Sequence, residues 1–132
     1  MSPSKRFNLR IEYCYRLTPG SKILCKLVLP GPVGSNDIAA IKERLEDGLY
    51  FIPGQVQLPD LCCSFGDRDR DWDPRVDQPW HEVERVNMTT LPATLGFDLP
   101  ARTVIDAFET ITWDETYRPE PKPVFIETVE RF

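Results

Sequence analysis

Apolar and polar residues alternate with a period of two across residues 7–17. Phe7, Leu9, Ile11, Tyr13, Tyr15 and Leu17 are separated by Asn8, Arg10, Glu12, Cys14 and Arg16. A strand with that pattern has one apolar and one polar face, so the segment predicts a half-buried β-strand. Thr18-Pro19-Gly20-Ser21 follows. Proline presets the first central position of a type II turn, and glycine accepts the positive φ of the second. Residues 23–29 then read as a second strand, completing an antiparallel hairpin. That strand has apolar residues on both faces (Ile23, Cys25, Leu27 and Leu29 against Leu24 and Val28), which places it nearer the sheet centre. The first strand is left as the edge-prone one.

Pro30-Gly31-Pro32-Val33-Gly34 ends the hairpin, and a helix is expected from Ser35 or Asn36, either of which can cap free amides. Ile38, Ile41, Leu45 and Leu49 recur at helical spacing, with Gly48 as the stop. Residues 49–59 are apolar but broken by Pro53, Gly54 and Pro59, which suggests an ordered connection against the core. Residues 61–65 suit a short strand and 66–80 a long loop. Residues 81–89 read as a strand in which Val83 lies on one face and Val86 and Met88 on the other, a shift that signals a bulge. A second helix is expected over 99–111, capped by Asp98 and striped by Val104, Phe108 and Ile111. The prolines at 119, 121 and 123 make the following stretch extended. Residues 124–129 are then a final strand, or a segment that adds to a partner's sheet.

These elements predict an α+β fold. A small, mostly antiparallel sheet is built from the N-terminal hairpin plus one or two later strands, with two helices on one face. With 132 residues the chain fits a single domain over 1–132, with an extended C-terminal tail at 114–132. Nothing approaches the ~20 apolar residues of a membrane helix. The first residues lack the apolar core of a signal peptide, so a cytoplasmic location is expected, with Cys14, Cys25, Cys62 and Cys63 reduced. Cys14 and Cys25 lie symmetrically about the turn and could face one another, yet free thiols are the expectation.

Charge changes the picture next. Sixteen basic and 21 acidic residues leave a formal net charge of −5. Nucleic-acid binders usually carry the opposite balance, so nucleic acid is disfavoured as a partner. The first third is nonetheless basic: Lys5, Arg6, Arg10, Arg16, Lys22 and Lys26 precede residue 37 with only Glu12 against them.

The densest candidate chemistry is the loop containing Asp67, Asp69, Asp71 and Asp73. Its alternating carboxylates suit hard cations, but the calcium-loop template fails, with Trp72 where glycine belongs and Gln78 where glutamate belongs. Arg68, Arg70 and Arg75 interleave, so no metal and no cofactor is expected. A tryptophan among charges either folds back onto a core or meets a partner, which makes Trp72 an interface candidate together with Asp69, Arg70 and Asp71. Trp80 and His81 close the loop and join that candidate set, although Trp80, beside a strand, suits the core better than Trp72 does. His81 is the only histidine, and with Cys62 or Cys63 it could form a thiol–imidazole dyad. No oxyanion loop accompanies it, and the glycines form no phosphate-binding fingerprint. The adjacent Cys62 and Cys63 lack the spacing that wraps zinc.

The chain therefore reads as a small soluble non-enzymatic protein-binding module: an adaptor, regulator or inhibitor. It would recognise another protein, or a second copy of itself, through an edge strand, the acidic Trp72 loop or the C-terminal tail. The alternative is a small hydrolase or transferase that uses the acidic loop with His81 and a cysteine. An inhibitor whose acidic surface mimics nucleic acid is a third reading, weakened by the interleaved bases.

Overall fold

The computed structural model describes residues 6–18, 21–61, 78–117 and 128–131. Strands β1 (Asn8–Thr18) and β2 (Ser21–Leu29) form the expected hairpin. Helix α1 (Ser35–Arg44), the two-residue strand β3 (Tyr50–Phe51) and a 3₁₀ turn (Pro53–Val56) follow. Strand β4 (His81–Thr89), helix α2 (Ala101–Thr110) and strand β5 (Thr128–Arg131) complete the order. The sheet is antiparallel throughout, in the order β3-β4-β1-β2-β5. The α+β class expected from the pattern is the class observed.

Position within the sheet corrects the pattern-based reading. β1 is the middle strand, paired with β4 on one side and β2 on the other, and is not an edge. A single apolar face suffices for a central strand when the helices cover only one side of the sheet. Leu9, Ile11, Tyr13 and Tyr15 pack into one core with Ile41 of α1 and with Ala101, Val104, Ile105 and Phe108 of α2. The side chain of Leu17 lies outside the described residues.

The bulge in β4 is present. Glu12 faces Arg85 and Tyr13 faces Val83, so Glu84 is the extra residue. It returns the apolar phase to one face: Val83, Val86 and Met88 all pack against the core. A second register shift, between Arg16 and Thr18, decides the fate of two cysteines. Thr18 faces Ser21, a register that, extended, would set Cys14 against Cys25. Beyond the shift Arg16 faces Lys22, so Cys14 meets Leu24 and Tyr13 meets Cys25. The two side chains therefore point to opposite faces, and both are buried and outside any disulfide.

α1 is shorter than its apolar stripe suggests. The Asp37 carboxylate accepts the Gly34 N–H at 2.9 Å and so caps the first turn. At the other end Glu46 and Tyr50 exchange backbone hydrogen bonds of 2.8 and 2.9 Å. That tight turn passes through Asp47 at φ 54° and Gly48 at φ 70°, ends the helix at Arg44, and leaves Leu49 38% exposed instead of on the stripe. α2 begins after Pro100, and Asp98 does not cap it. The helices are tied end to end. Arg102 pairs with Asp37 at 3.2 Å, Arg44 donates to the Glu109 carbonyl at 2.9 Å, and the Trp113 indole donates to the Arg44 carbonyl at 2.7 Å. The last two contacts satisfy carbonyls that helix C-termini leave free.

Residues 49–59 form the expected ordered connection, with Phe51, Ile52, Val56 and Leu58 buried. The proposed strand over 61–65 falls beyond Leu61 outside the described residues, as do Pro19, Gly20 and residues 118–127 of the tail. β5 adds to the chain's own sheet, pairing with β2 from Ser21 to Leu24. No helix among the described residues is long and apolar enough to cross a membrane.

Candidate functional site

Antiparallel pairing sets residues in rows, and two neighbouring rows at one end of the sheet have opposite fates. In the first, Phe51 faces His81, and Tyr15 faces Ile23 beside them. In the second, Tyr50 faces Glu82, Glu82 faces Cys14 and Cys14 faces Leu24. Side chains alternate along each strand, so the first row points to the helices and the second away from them.

His81 belongs to the first row and is 1% exposed. Its ring lies 4.9 Å from Tyr15, 5.9 Å from Tyr13 and 6.4 Å from Phe51, measured between centroids. The Leu61 N–H donates to Nε2 at 3.1 Å, which makes Nδ1 the protonated nitrogen that donates to the Pro79 carbonyl at 3.0 Å. Burial pushes the imidazole down to about 3, so it is neutral at ordinary pH. Two tyrosines do parallel work. The Tyr13 hydroxyl, kept protonated by burial, donates to the Pro59 carbonyl at 2.6 Å, and the Tyr15 hydroxyl accepts the Gln78 N–H at 3.3 Å. Tyr13, Tyr15 and His81 thus tie both ends of segment 62–77, Pro59–Leu61 on one side and Gln78–Pro79 on the other, to the sheet.

The second row opens into a groove of about 370 Å³, within the usual range of ligand sites. Tyr50 and Trp80 supply its aromatic surface. Trp80 is held edge-on against Trp113, with centroids 6.1 Å apart, and Trp113 packs in turn on Phe51 and Phe108. The rim is acidic. Glu46 and Asp47 come from the turn after α1 and Glu115 from the segment after α2. That segment is fastened to the 3₁₀ turn: Gln55 donates to the Thr112 carbonyl at 3.2 Å and accepts the Asp114 N–H at 2.9 Å. Hydrogen bonds from the Thr116 hydroxyl and N–H hold the Asp114 carboxyl below its ordinary range.

One ion pair lies within the groove and a second lies beside it on the same sheet. Arg16 pairs with Glu82 at 3.0 Å, and Lys22 of β2 reaches across β1 to Glu84 at 2.8 Å. Cys14 lies beneath them, fully buried, with its thiol 3.7 Å from Glu82. Burial first, then Glu84 and Glu82, pushes that thiol up to about 12, so it carries no thiolate at neutral pH. Further along the same face Glu12, 8% exposed, sits between Arg10 at 2.7 Å and Arg85 at 3.7 Å.

Of the residues singled out in the sequence, Trp80 lines the groove, while His81 is turned into the core with both nitrogens occupied. Asp69, Arg70, Asp71 and Trp72 lie outside the described residues, as do Cys62 and Cys63. Tyr50, Glu46, Asp47 and Glu115 were not anticipated. Only the pairing of Tyr50 with Glu82 had a local signal, the apolar run after a helix stop. Among the described residues no group of three or more His, Cys, Asp or Glu is placed to hold a metal ion. Chemically, the groove brings together an aromatic surface, carboxylates and a guanidinium, while His81 has both ring nitrogens occupied and Cys14 is held as a thiol. Comparison with known proteins finds no family model, curated protein or solved structure that matches this chain.

Proposed function

We propose that this chain is a protein-binding module and that its docking site is the groove walled by Trp80 and Tyr50. One observation carries the reading: a tryptophan–tyrosine pair borders an open groove on the sheet face away from the helices, held by Trp113 from behind. Aromatic anchors braced in this way are the residue types that dominate binding energy at protein interfaces. The groups a hydrolase or transferase would need support it less well, because His81 has no free nitrogen and Cys14 is buried as a thiol. The stretch of β4 that the two-residue β3 leaves uncovered is a weaker docking surface: the Glu84 bulge and the neighbouring Arg85 are devices that discourage strand addition. The partner is another protein or a second copy of this chain.

Site-specific photo-crosslinking tests the proposal. A crosslinker at position 47, on the groove rim, should capture a partner in extract of the native host, and Trp80→Ala should abolish the capture without unfolding the chain. Equal capture from a crosslinker on the exposed side of α2, at Glu109, would place the contact elsewhere.

A further inference from the structure

We infer that the groove's ligand is an arginine side chain presented by a partner protein, an inference that rests on the docking reading above. Three features converge on a planar cation. The first is the aromatic surface of Trp80 and Tyr50, whose π-faces attract cations and stack with a guanidinium.

The second is the pairing state of the carboxylates. Glu12, Glu82, Glu84 and Asp37 each have a cationic partner. Glu46, Asp47 and Glu115, the three on the groove rim, have no ion pair among the described residues. The third is the interior precedent. Arg16 already lies in this groove against Glu82, so a guanidinium fits the local geometry, and that pair engages none of the rim carboxylates. Among the described residues that line the groove, four carboxylates face one guanidinium, and the charge complement of that set is a cation. Arginine is favoured over lysine because a compact, strongly hydrated ammonium stacks less well on an aromatic face.

The experiment is an NMR titration of the full chain with a short arginine–serine repeat peptide. The same peptide with citrulline for arginine keeps the shape and removes the charge, and a lysine version keeps the charge and removes the plane. The arginine peptide should shift the Trp80 indole resonance, assigned by its loss in Trp80→Phe. The citrulline peptide should bind about tenfold more weakly or worse, with lysine in between. Glu46→Gln, Asp47→Asn and Glu115→Gln combined should weaken the arginine peptide by a similar factor and flatten its salt dependence. The unchanged spectrum of the free triple variant would show that its fold is intact. Equal binding of the citrulline peptide, unchanged binding by the triple variant, or no shift at Trp80 would each overturn the inference. If the arginine peptide fails while crosslinking at position 47 still depends on Trp80, the docking reading stands and only the choice of ligand falls.

Discussion

The two faces of β1 are built from alternate residues of one strand and do different work. Toward the helices, Leu9, Ile11, Tyr13 and Tyr15 are fully or almost fully buried and join a core continuous through α1 and α2. On the other face Arg10, Glu12, Cys14 and Arg16 sit in a lattice of ion pairs that runs across β2, β1 and β4. Burying a large aliphatic side chain stabilises by about 1.5–3 kcal/mol. An exposed ion pair contributes about 0–1 kcal/mol. Stability is therefore concentrated on one face, and the other is free to be shaped by what it contacts. The groove lies on that second face, where the exposed Arg16 can be replaced at little cost to the fold.

The largest expected effect is on the first face. Ile11→Ala removes a fully buried side chain at the sheet centre and should cost about 2–5 kcal/mol in urea unfolding. Arg16→Ala, on the second face, should cost no more than about 1 kcal/mol. Equal costs would break the distinction between the faces.

Acid should expose the same asymmetry through His81. Its folded pKa, about 3, is depressed from an ordinary 6.5. Between those values the unfolded chain binds the extra proton. Stability is therefore fully present above the ordinary value and is lost as pH falls toward the folded one, at up to about 1.4 kcal/mol per pH unit. Unfolding free energies measured across this window should show the slope in the natural chain, and His81→Gln should flatten it. Carboxylates on the second face add a smaller loss at lower pH. Lys22, through its hydrogen bond, depresses the Glu84 pKa, so that pair's contribution is present above the ordinary carboxylate value and disappears below it. If His81→Gln leaves the slope intact, the titrating group lies elsewhere.

Period-two alternation made the hairpin and its core face legible, because each apolar position of β1 has the same reason to be buried. The phase change between Val83 and Val86 even disclosed the β4 bulge. What alternation cannot carry is strand order: a strand apolar on one side fits the sheet edge and the sheet centre alike, and β1 proved central. Nor does it carry register, and one residue of slip between Arg16 and Thr18 turned Cys14 and Cys25 to opposite faces. The site was less legible still. Trp72 stood out as the aromatic among charges, whereas Trp80, beside a strand, read more readily as core, and its brace Trp113 is 33 residues away. The rim residues Glu46, Asp47 and Glu115 look like ordinary polar turn residues until the chain folds. His81, conspicuous as the lone histidine, was spent on holding backbone.

A smaller effect sharpens the contrast on the second face. Cys14 and Cys25 should resist a maleimide reagent in the native state and react fully after denaturation, since neither thiol is exposed. Mass spectrometry of the labelled chain would read this directly. Prompt native labelling of Cys14 would show that its thiol is open to the groove.

The smallest stability effect and the largest binding effect should meet in one substitution. Trp80→Ala gives up an edge-on contact with Trp113 worth about 0.5–1.5 kcal/mol beyond its burial. The most direct measurement pairs its thermal midpoint with its equilibrium affinity for the partner recovered at position 47. The expected result is an affinity about thirtyfold lower or worse, with the midpoint lowered by only a few degrees. An unchanged affinity would contradict the assignment of the groove as the docking site, and a collapse of the midpoint would place Trp80 in the core.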